Sequence, residues 1–168
     1  MNIYLTGFMG SGKSTYGKKL AKALDYQFVD LDTKIEEETK KPIADWFAND
    51  GEEAFRDKEA EVLRSLSTAE KTVVATGGGA ACYHNNMEWM NENGFTVYLK
   101  LLEPQLFKRL NNAKEERPLI TENTDKDLQL FIHEMLNERS RFYCAAQLII
   151  QPEQFQPKNL VEYLEKKA

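Results

Sequence analysis

Eight residues near the start of the chain, Gly7-Phe8-Met9-Gly10-Ser11-Gly12-Lys13-Ser14, match the pattern GxxxxGK[ST], and Thr15 follows them. Apolar strand residues precede this segment and helical spacing follows it. Glycines let the backbone wrap closely around an anion with its N–H groups turned inward, and the helix N-terminus adds a positive dipole end. In such a loop Lys13 contacts the β- and γ-phosphates and the Ser14 hydroxyl ligates Mg²⁺. The segment predicts nucleotide binding. It does not select between kinases, GTPases and motor ATPases.

The rest of the chain predicts strands and helices in alternation. Strands are predicted at Ile3–Thr6, Gln27–Leu31, Val73–Thr76, Phe95–Leu101 and Gln147–Ile150. Helices are predicted at Lys13–Leu24, Gly51–Ser67, Asn85–Asn93, Pro104–Leu110, Asp125–Tyr143 and Pro157–Lys167. Short apolar strands separated by helices indicate a parallel sheet covered on both faces. We expect an inserted helical pair over 33–51, broken at Pro42, and a mobile polar loop over 111–125.

Composition excludes several classes of protein. A chain of 168 residues with 42% hydrophobic and 29% charged residues predicts one folded domain. The net charge of -5 disfavours a nucleic-acid-binding role. No apolar run reaches the roughly 20 residues that a membrane helix needs, and the N-terminus does not resemble a signal peptide. Two scattered cysteines, Cys82 and Cys144, are expected to be reduced thiols rather than zinc ligands.

Two carboxylates follow the second predicted strand, in Phe28-Val29-Asp30-Leu31-Asp32. Residues two apart on a strand point to the same side, so Asp30 and Asp32 are expected to project together from the carboxyl edge of the sheet. There, one would hold waters of Mg²⁺ and the other would accept hydrogen bonds from substrate hydroxyls. The alternative is that one of them only caps the helix that starts near Thr33.

Arg56 and Glu59 lie one helical turn apart on the predicted helix after Gly51. A guanidinium held by a neighbouring carboxylate suits a planar anion such as a substrate carboxylate. The alternative is a solvated salt bridge on a helix surface.

Three glycines, Gly77 to Gly79, end the third predicted strand and would let a ligand press against bare backbone, unless they form only a flexible turn.

Arg117 ends the polar loop and is placed to move over the phosphates. Arg139 lies four residues after Met135 on a long helix, so it is expected to point inward; otherwise it is a cation that favours a helix C-terminus.

In order along the chain, these motifs resemble those of the shikimate kinases, in the nucleoside monophosphate kinase-like group of phosphate-loop enzymes. The motifs are the phosphate loop, Asp30-x-Asp32, Phe55-Arg56-x-x-Glu59, Gly77-Gly78-Gly79, Arg117-Pro118-Leu119 and Arg139-x-x-x-Tyr143. The resemblance covers essentially the whole chain. It implies one domain over 1–168 with a three-layer α/β/α fold, a five-stranded parallel sheet, inserted substrate-binding helices at about 32–60 and a lid at about 111–125.

The activity that the resemblance implies is ATP-dependent phosphorylation of the 3-hydroxyl of shikimate to shikimate 3-phosphate, on the route to chorismate and aromatic amino acids. ATP would be bound by Gly10, Ser11, Gly12, Lys13, Ser14, Thr15 and Arg117. One Mg²⁺ ion per subunit would be held by Ser14 and, through water, by Asp30. Shikimate would be bound by Asp32, Arg56, Gly78, Gly79 and Arg139. Catalysis would rest on Lys13, Asp32 and Arg117.

The chain departs from the family pattern at three places, one of which is Ala80-Ala81 after the glycine run, where the family usually has a larger aliphatic residue. The family usually carries an arginine seven residues before the lid arginine, but here that position is Leu110 and Arg109 stands one residue early. The contacts to adenine therefore stay open. The lid, over 111–116, is acidic where many relatives are basic.

Two rival functions remain at this stage. One is another small-molecule kinase, acting on gluconate or a nucleoside monophosphate, and the other is a catalytically silent nucleotide-binding module. Paired aspartates with arginines favour a small polyhydroxy acid as acceptor. We expect a cytoplasmic monomer that binds small molecules and neither nucleic acid nor membrane.

Overall fold

The computed structural model describes residues 1–113 and 125–167. Its sheet has five strands: β1 (Asn2–Thr6), β2 (Gln27–Asp30), β3 (Thr72–Ala75), β4 (Gly94–Leu99) and β5 (Leu148–Ile150). The strands lie in the order β2-β3-β1-β4-β5 and every neighbouring pair is parallel. The five-stranded parallel sheet expected from the sequence is confirmed.

Two hydrophobic clusters cover the two faces of this sheet. Successive side chains of β1 point to opposite faces of the sheet, so Tyr4 lies in one cluster and both Ile3 and Leu5 lie in the other. All three side chains are fully buried. The central strand is therefore apolar at every position between its ends, as is typical of a parallel strand with helices on both sides.

The helices that cover the sheet are α1 (Lys13–Leu24), α2 (Leu31–Thr39), α3 (Ile43–Asp45), α4 (Gly51–Ser65), α5 (Asn86–Asn93), α6 (Glu103–Asn112), α7 (Asp125–Tyr143) and α8 (Pro157–Lys167). A π-helical turn at Trp46–Asp50 joins α3 to α4. In the part of the chain that the structure describes, no helix combines the length and the hydropathy needed to cross a bilayer.

The end of β2 differs from the sequence prediction. The strand stops at Asp30, and Asp32 lies in the first turn of α2 instead of on the strand. The cause is local: the Asp30 side chain accepts a hydrogen bond from the Thr33 backbone N–H (3.2 Å), which starts the helix at once. The prediction that both carboxylates share one side of a strand was wrong.

The inserted segment after β2 has the predicted break. Helix α2 ends at Lys40, whose φ of 54° is left-handed, and Pro42 then precedes α3. The second half of the expected helical pair is the short α3 followed by the π-helical turn, up to Gly51 with its φ of 87°. Helix α4 follows the insertion and brings Arg56 against Gly79, in the turn after β3.

Candidate active site

Strands β1, β2 and β3 all end at the same level. Leu5 and Asp30 are both paired with Ala75 in the sheet register, and the Thr76 backbone N–H donates to the Leu5 carbonyl (3.1 Å). A cavity of about 330 Å³ opens at this edge. Its lining comprises Met9, Gly10, Gly12, Lys13, Ser14, Thr15, Asp30, Asp32, Thr76, Gly77 and Gly78. The cavity thus joins the phosphate loop, the two aspartates and the glycine turn.

The loop between β1 and α1 has the backbone that its glycines permit. Gly10 and Gly12 have φ of 76° and 88°, a conformation that side chains with a Cβ rarely adopt. The Lys13 ammonium is buried and donates to the Gly7 and Phe8 carbonyls at 2.8 and 2.9 Å. The positive charge of Lys13 therefore lies inside the curve of the loop.

Ser14 and Asp30 meet at the mouth of the cavity. The Ser14 hydroxyl donates to Asp30 Oδ2 at 2.6 Å, while Asp30 Oδ1 accepts from the Thr33 backbone. Asp30 is thus a helix cap, which was the alternative considered from sequence, and also a partner of the loop serine. The pair offers a hydroxyl and a carboxylate, which are oxygen ligands that suit Mg²⁺.

Asp32 faces the same cavity from the first turn of α2. Burial raises the pKa of this carboxyl above its ordinary value, and the nearby charge of Asp30 adds to the effect. Lys13 and Arg56 act in the opposite direction. The result is a carboxyl group whose pKa stays raised although both cations lower it.

Arg56 is held by two carboxylates on its own helix. Its Nη1 donates to Glu59 Oε1 at 2.9 Å, and its Nε and Nη2 both donate to Glu52 Oε1 at 3.3 Å. Arg56 is 6% exposed and Glu59 is 1% exposed, so the solvated surface bridge that the sequence left open is excluded for this pair. Burial opposes the charge of Arg56, but Glu59, Tyr83 and Glu52 together outweigh this effect and raise the pKa of Arg56.

The glycine turn after β3 packs directly against the arginines. A Cβ at Gly79 would lie 2.8 Å from Cζ of Arg56, and one at Gly78 would lie 3.1 Å from the Met9 nitrogen and 3.5 Å from Arg139 Nη1. Only glycine leaves room for this approach. The turn therefore forms a bare backbone surface between the phosphate loop and two guanidinium groups.

Arg139 points inward from α7, as its spacing after Met135 predicts. It is 9% exposed, and its Nη1 has no hydrogen-bond partner among the described residues. Tyr143, one turn later, donates its hydroxyl to the Gly78 carbonyl and so ties α7 to the glycine turn. A buried guanidinium nitrogen without a partner is costly unless a ligand supplies one.

Arg109 and Leu110, near the end of α6, both contact Gly10 of the phosphate loop. Leu110 is 1% exposed and packs against Gly10, whereas Arg109 Nη1 donates to the Gly10 carbonyl at 3.3 Å. A second cavity beside the loop is lined by Arg109 together with Ser11, Gly12, Thr15, Tyr16, Lys19, Pro152, Glu153, Gln156 and Pro157. Arg117 and most of the expected lid lie outside the described residues.

Sequence reasoning did not single out two residues around Arg56. Glu52 stands four residues before Arg56, so helical spacing contained a signal for this contact. Tyr83, whose hydroxyl donates to Glu52 at 2.9 Å, carried no such signal because 31 residues separate the two.

The buried Glu59 gives the protein a pH-dependent stability. Burial raises its pKa from 4.5 to about 6, more than Arg56 lowers it. A carboxyl group with a raised pKa in the folded state stabilises fully below its unfolded pKa, and the contribution is lost as pH rises through about 6.

We therefore expect the free energy of unfolding of the native protein, relative to Glu59→Gln, to fall by about 2 kcal/mol between pH 4.5 and 7. Urea denaturation of both proteins across this range measures the difference. If the free energy of unfolding of the native protein relative to Glu59→Gln rises with pH instead, the ion pair with Arg56, and not burial, determines the pKa of Glu59.

With this geometry in place, the chain was compared with known proteins. The family model described as shikimate kinase matches residues 9–168. The chain belongs to the shikimate kinase family. The shikimate kinase of Bacteroides thetaiotaomicron is 40% identical over 162 residues, which are 96% of this chain and 93% of that protein. That of Parabacteroides distasonis is 42% identical over 151 residues, or 90% and 87% of the two chains.

Solved structures of shikimate kinases have the same fold. The crystal structure of the Bacteroides thetaiotaomicron shikimate kinase aligns with a TM-score of 0.90 at 39% identity, covering 99% of this chain and 97% of that one. The Acinetobacter baumannii shikimate kinase, solved in complex with shikimate, aligns with a TM-score of 0.84 at 32% identity, covering 98% and 90%. The expected shikimate kinase family and phosphate-loop kinase fold are confirmed, and the family's reaction is phosphorylation of shikimate by ATP.

Proposed function

We propose that this protein transfers the γ-phosphoryl group of ATP to the 3-hydroxyl of shikimate, as one domain over 1–168. One observation carries the proposal: two buried guanidinium groups, Arg56 and Arg139, converge on the glycine turn beside a complete phosphate loop. A phosphate loop alone is shared by many activities. Two buried arginines at its acceptor side select an acceptor with a carboxylate.

The ATP side consists of the loop residues named above and the cavity at Arg109. Loop N–H groups, the N-terminus of α1 and Lys13 provide positive potential for the phosphates. The cavity beside Ser11 and Thr15 adjoins the loop, so we assign the adenine to it, with Arg109 as its cation in place of the family's arginine at Leu110.

Ser14 and Asp30 are proposed to hold one Mg²⁺ ion, Asp30 through water. No group of three or more His, Cys, Asp or Glu side chains in residues 1–113 and 125–167 is placed to hold a metal by itself. This fits Mg²⁺, which commonly binds one or two protein oxygens and completes its shell with phosphates and water. When bound, the ion neutralises charge on the phosphate oxygens.

On the shikimate side, partners are proposed for the carboxylate and for the attacking hydroxyl of the substrate. Arg56 and Arg139 are proposed to bind the carboxylate, and the backbone of Gly78 and Gly79 to form the floor. Asp32 lines the cavity and is proposed to accept a hydrogen bond from the attacking hydroxyl. Its raised pKa suits a group that takes a proton during transfer.

Arg117 enters the proposal from its Arg-Pro-Leu motif alone. We assign it to ATP binding and to neutralising charge on the transferring phosphoryl group, with the segment 111–125 acting as the lid that excludes water. Since the transition state of phosphoryl transfer is loose, these residues act mainly by positioning and by charge.

We also propose that the protein works as a monomer in the cytoplasm, with small molecules as its only partners. The large apolar side chains that are exposed in the described residues are well separated along the chain: Met1, Phe47, Leu102, Leu130 and Ile149. Such scattered residues do not form an extended docking patch.

Both cysteines lie in the described residues and are free thiols.

Replacing Asp32 with asparagine is expected to lower kcat at least about 100-fold while the Kd for ATP stays within about twofold. Asparagine keeps the shape but removes the proton acceptor. Steady-state kinetics and calorimetric titration with ATP measure the two quantities. Normal turnover in this variant would remove Asp32 from the mechanism.

The reaction itself is tested by identifying its product. Incubation with ATP, Mg²⁺ and shikimate, followed by ³¹P and ¹H NMR, is expected to give ADP and one phosphate monoester coupled to the proton at C3. Phosphate on another hydroxyl would keep the kinase activity but contradict the proposed placement of Asp32.

A further inference from the structure

Tyr83 lies just beyond the glycine turn, directly after the short 3-10 helix Ala80–Cys82. Its ring is the nearest aromatic ring to the Arg56 guanidinium: Cζ is 4.3 Å from the ring centre, compared with 5.3 Å for Phe55 and 5.8 Å for Phe47. A cation at this distance from an aromatic face is attracted to it. Tyr83 therefore contacts the guanidinium without using any of its N–H donors.

The hydroxyl of Tyr83 makes a second connection to the same group. It donates to Glu52 Oε1 at 2.9 Å, and this oxygen also accepts from Nε and Nη2 of Arg56 at 3.3 Å. The Glu52 side chain is 52% exposed, so packing does not fix it. The shorter bond to Tyr83 holds it on the outer edge of the guanidinium.

The donors of Arg56 can be counted. A guanidinium has five N–H groups. Among the described residues, Glu59 takes one at Nη1, and Glu52 takes Nε and one at Nη2. Two N–H groups remain, one on each terminal nitrogen, and these nitrogens lie against Gly79. Two donors are what a carboxylate accepts in a bidentate pair.

We propose that Tyr83 is a positioning and specificity-determining residue for the acceptor: it stacks on Arg56 and anchors Glu52, so that the two remaining N–H groups stay available for a substrate carboxylate. This rests on the proposed function. Without the hydroxyl, Glu52 keeps only its longer bonds and is free to move to solvent or to the donors that the substrate needs. Glu52 then competes with the substrate for Arg56.

Two variants separate the ring from the hydroxyl. Tyr83→Phe keeps the ring, and its KM for shikimate is expected to rise about 3- to 10-fold. Tyr83→Ala loses both contacts, and a rise of about 10- to 30-fold is expected. In both, kcat and the KM for ATP should stay within about twofold, because Tyr83 touches neither the loop nor Asp32. Tyr163→Phe and Tyr163→Ala, on the far face at α8, are matched controls with no expected change.

A double-mutant cycle tests the route through Glu52. If Tyr83 acts by anchoring that carboxylate, the effects of Tyr83→Phe and Glu52→Gln on the KM for shikimate will not be additive. Additive effects would contradict the anchoring role. Circular dichroism melting of each variant confirms that it is folded before its kinetics are compared.

The possible results are distinct. An unchanged KM for shikimate in folded Tyr83→Phe and Tyr83→Ala, with an active native protein, would overturn the role of Tyr83 alone. A lower kcat together with similar rises in the KM values for shikimate and ATP would also overturn the role of Tyr83, because these changes indicate a general structural effect. A native protein that does not turn over shikimate would overturn the proposed function, and this inference with it.

Discussion

Replacing Arg56 with alanine is expected to lower kcat/KM for shikimate by roughly 30- to 1000-fold, equivalent to about 2–4 kcal/mol. The substrate carboxylate loses its bidentate partner, while Arg139 remains. The KM for ATP should change little, since Arg56 does not line the phosphate loop. Steady-state kinetics with each substrate varied in turn measure the two effects.

The same substitution is expected to lower the free energy of unfolding by about 3–5 kcal/mol, because the buried Glu59 loses its ion pair and must either stay charged without it or take up a proton. The double variant Arg56→Ala/Glu59→Ala removes that carboxyl group, so it should regain part of the stability without regaining activity. Lys58→Ala, on the exposed side of the same helix, is the matched control. An unchanged KM for shikimate in Arg56→Ala would contradict the role of Arg56 in binding the carboxylate.

Replacing Lys13 with methionine is expected to lower kcat by roughly 100- to 1000-fold and to weaken ATP binding. Methionine keeps the unbranched shape but removes the only charge that lies inside the curve of the described loop. ADP release and calorimetric titration with ATP measure turnover and binding. Lys22→Met, exposed in the last turn of α1, is the control.

Near-native turnover in Lys13→Met would contradict the assignment of the nucleotide site. Since the Lys13 ammonium also bonds to the carbonyls of Gly7 and Phe8, its loss removes loop contacts as well as charge. A melting temperature close to native would show that the kinetic loss comes from the missing charge.

The elements that sequence predicts well are those with a local cause. The helix Lys13–Leu24 begins at a glycine loop and ends at Asp25 in the left-handed conformation, so both limits are set within a few residues. Arg139 was placed inward from Met135 by helical spacing alone. For Arg56 and Glu59, spacing predicted the pair, but only the packing of α4 against the glycine turn buries it.

The features that the sequence predicts wrongly, or misses, depend on contacts that cannot be inferred from the spacing of residues along the chain. Alternation past Asp30 predicts that Asp32 lies on a strand, but Asp30 caps the Thr33 N–H and a helix begins before Asp32. Leu110 stands where the family has an arginine, yet one step around α6 the side chain of Arg109 reaches the phosphate loop. The contact between Tyr83 and Glu52 joins a turn to a distant helix, and no local pattern predicts it.

The choice of acceptor decides whether this site phosphorylates shikimate. ADP release from MgATP is followed with shikimate, gluconate, a set of nucleoside monophosphates, and no acceptor. Rapid release is expected with shikimate only. Release with another acceptor, or tight ATP binding with no release on any of them, would contradict phosphorylation of shikimate by this protein.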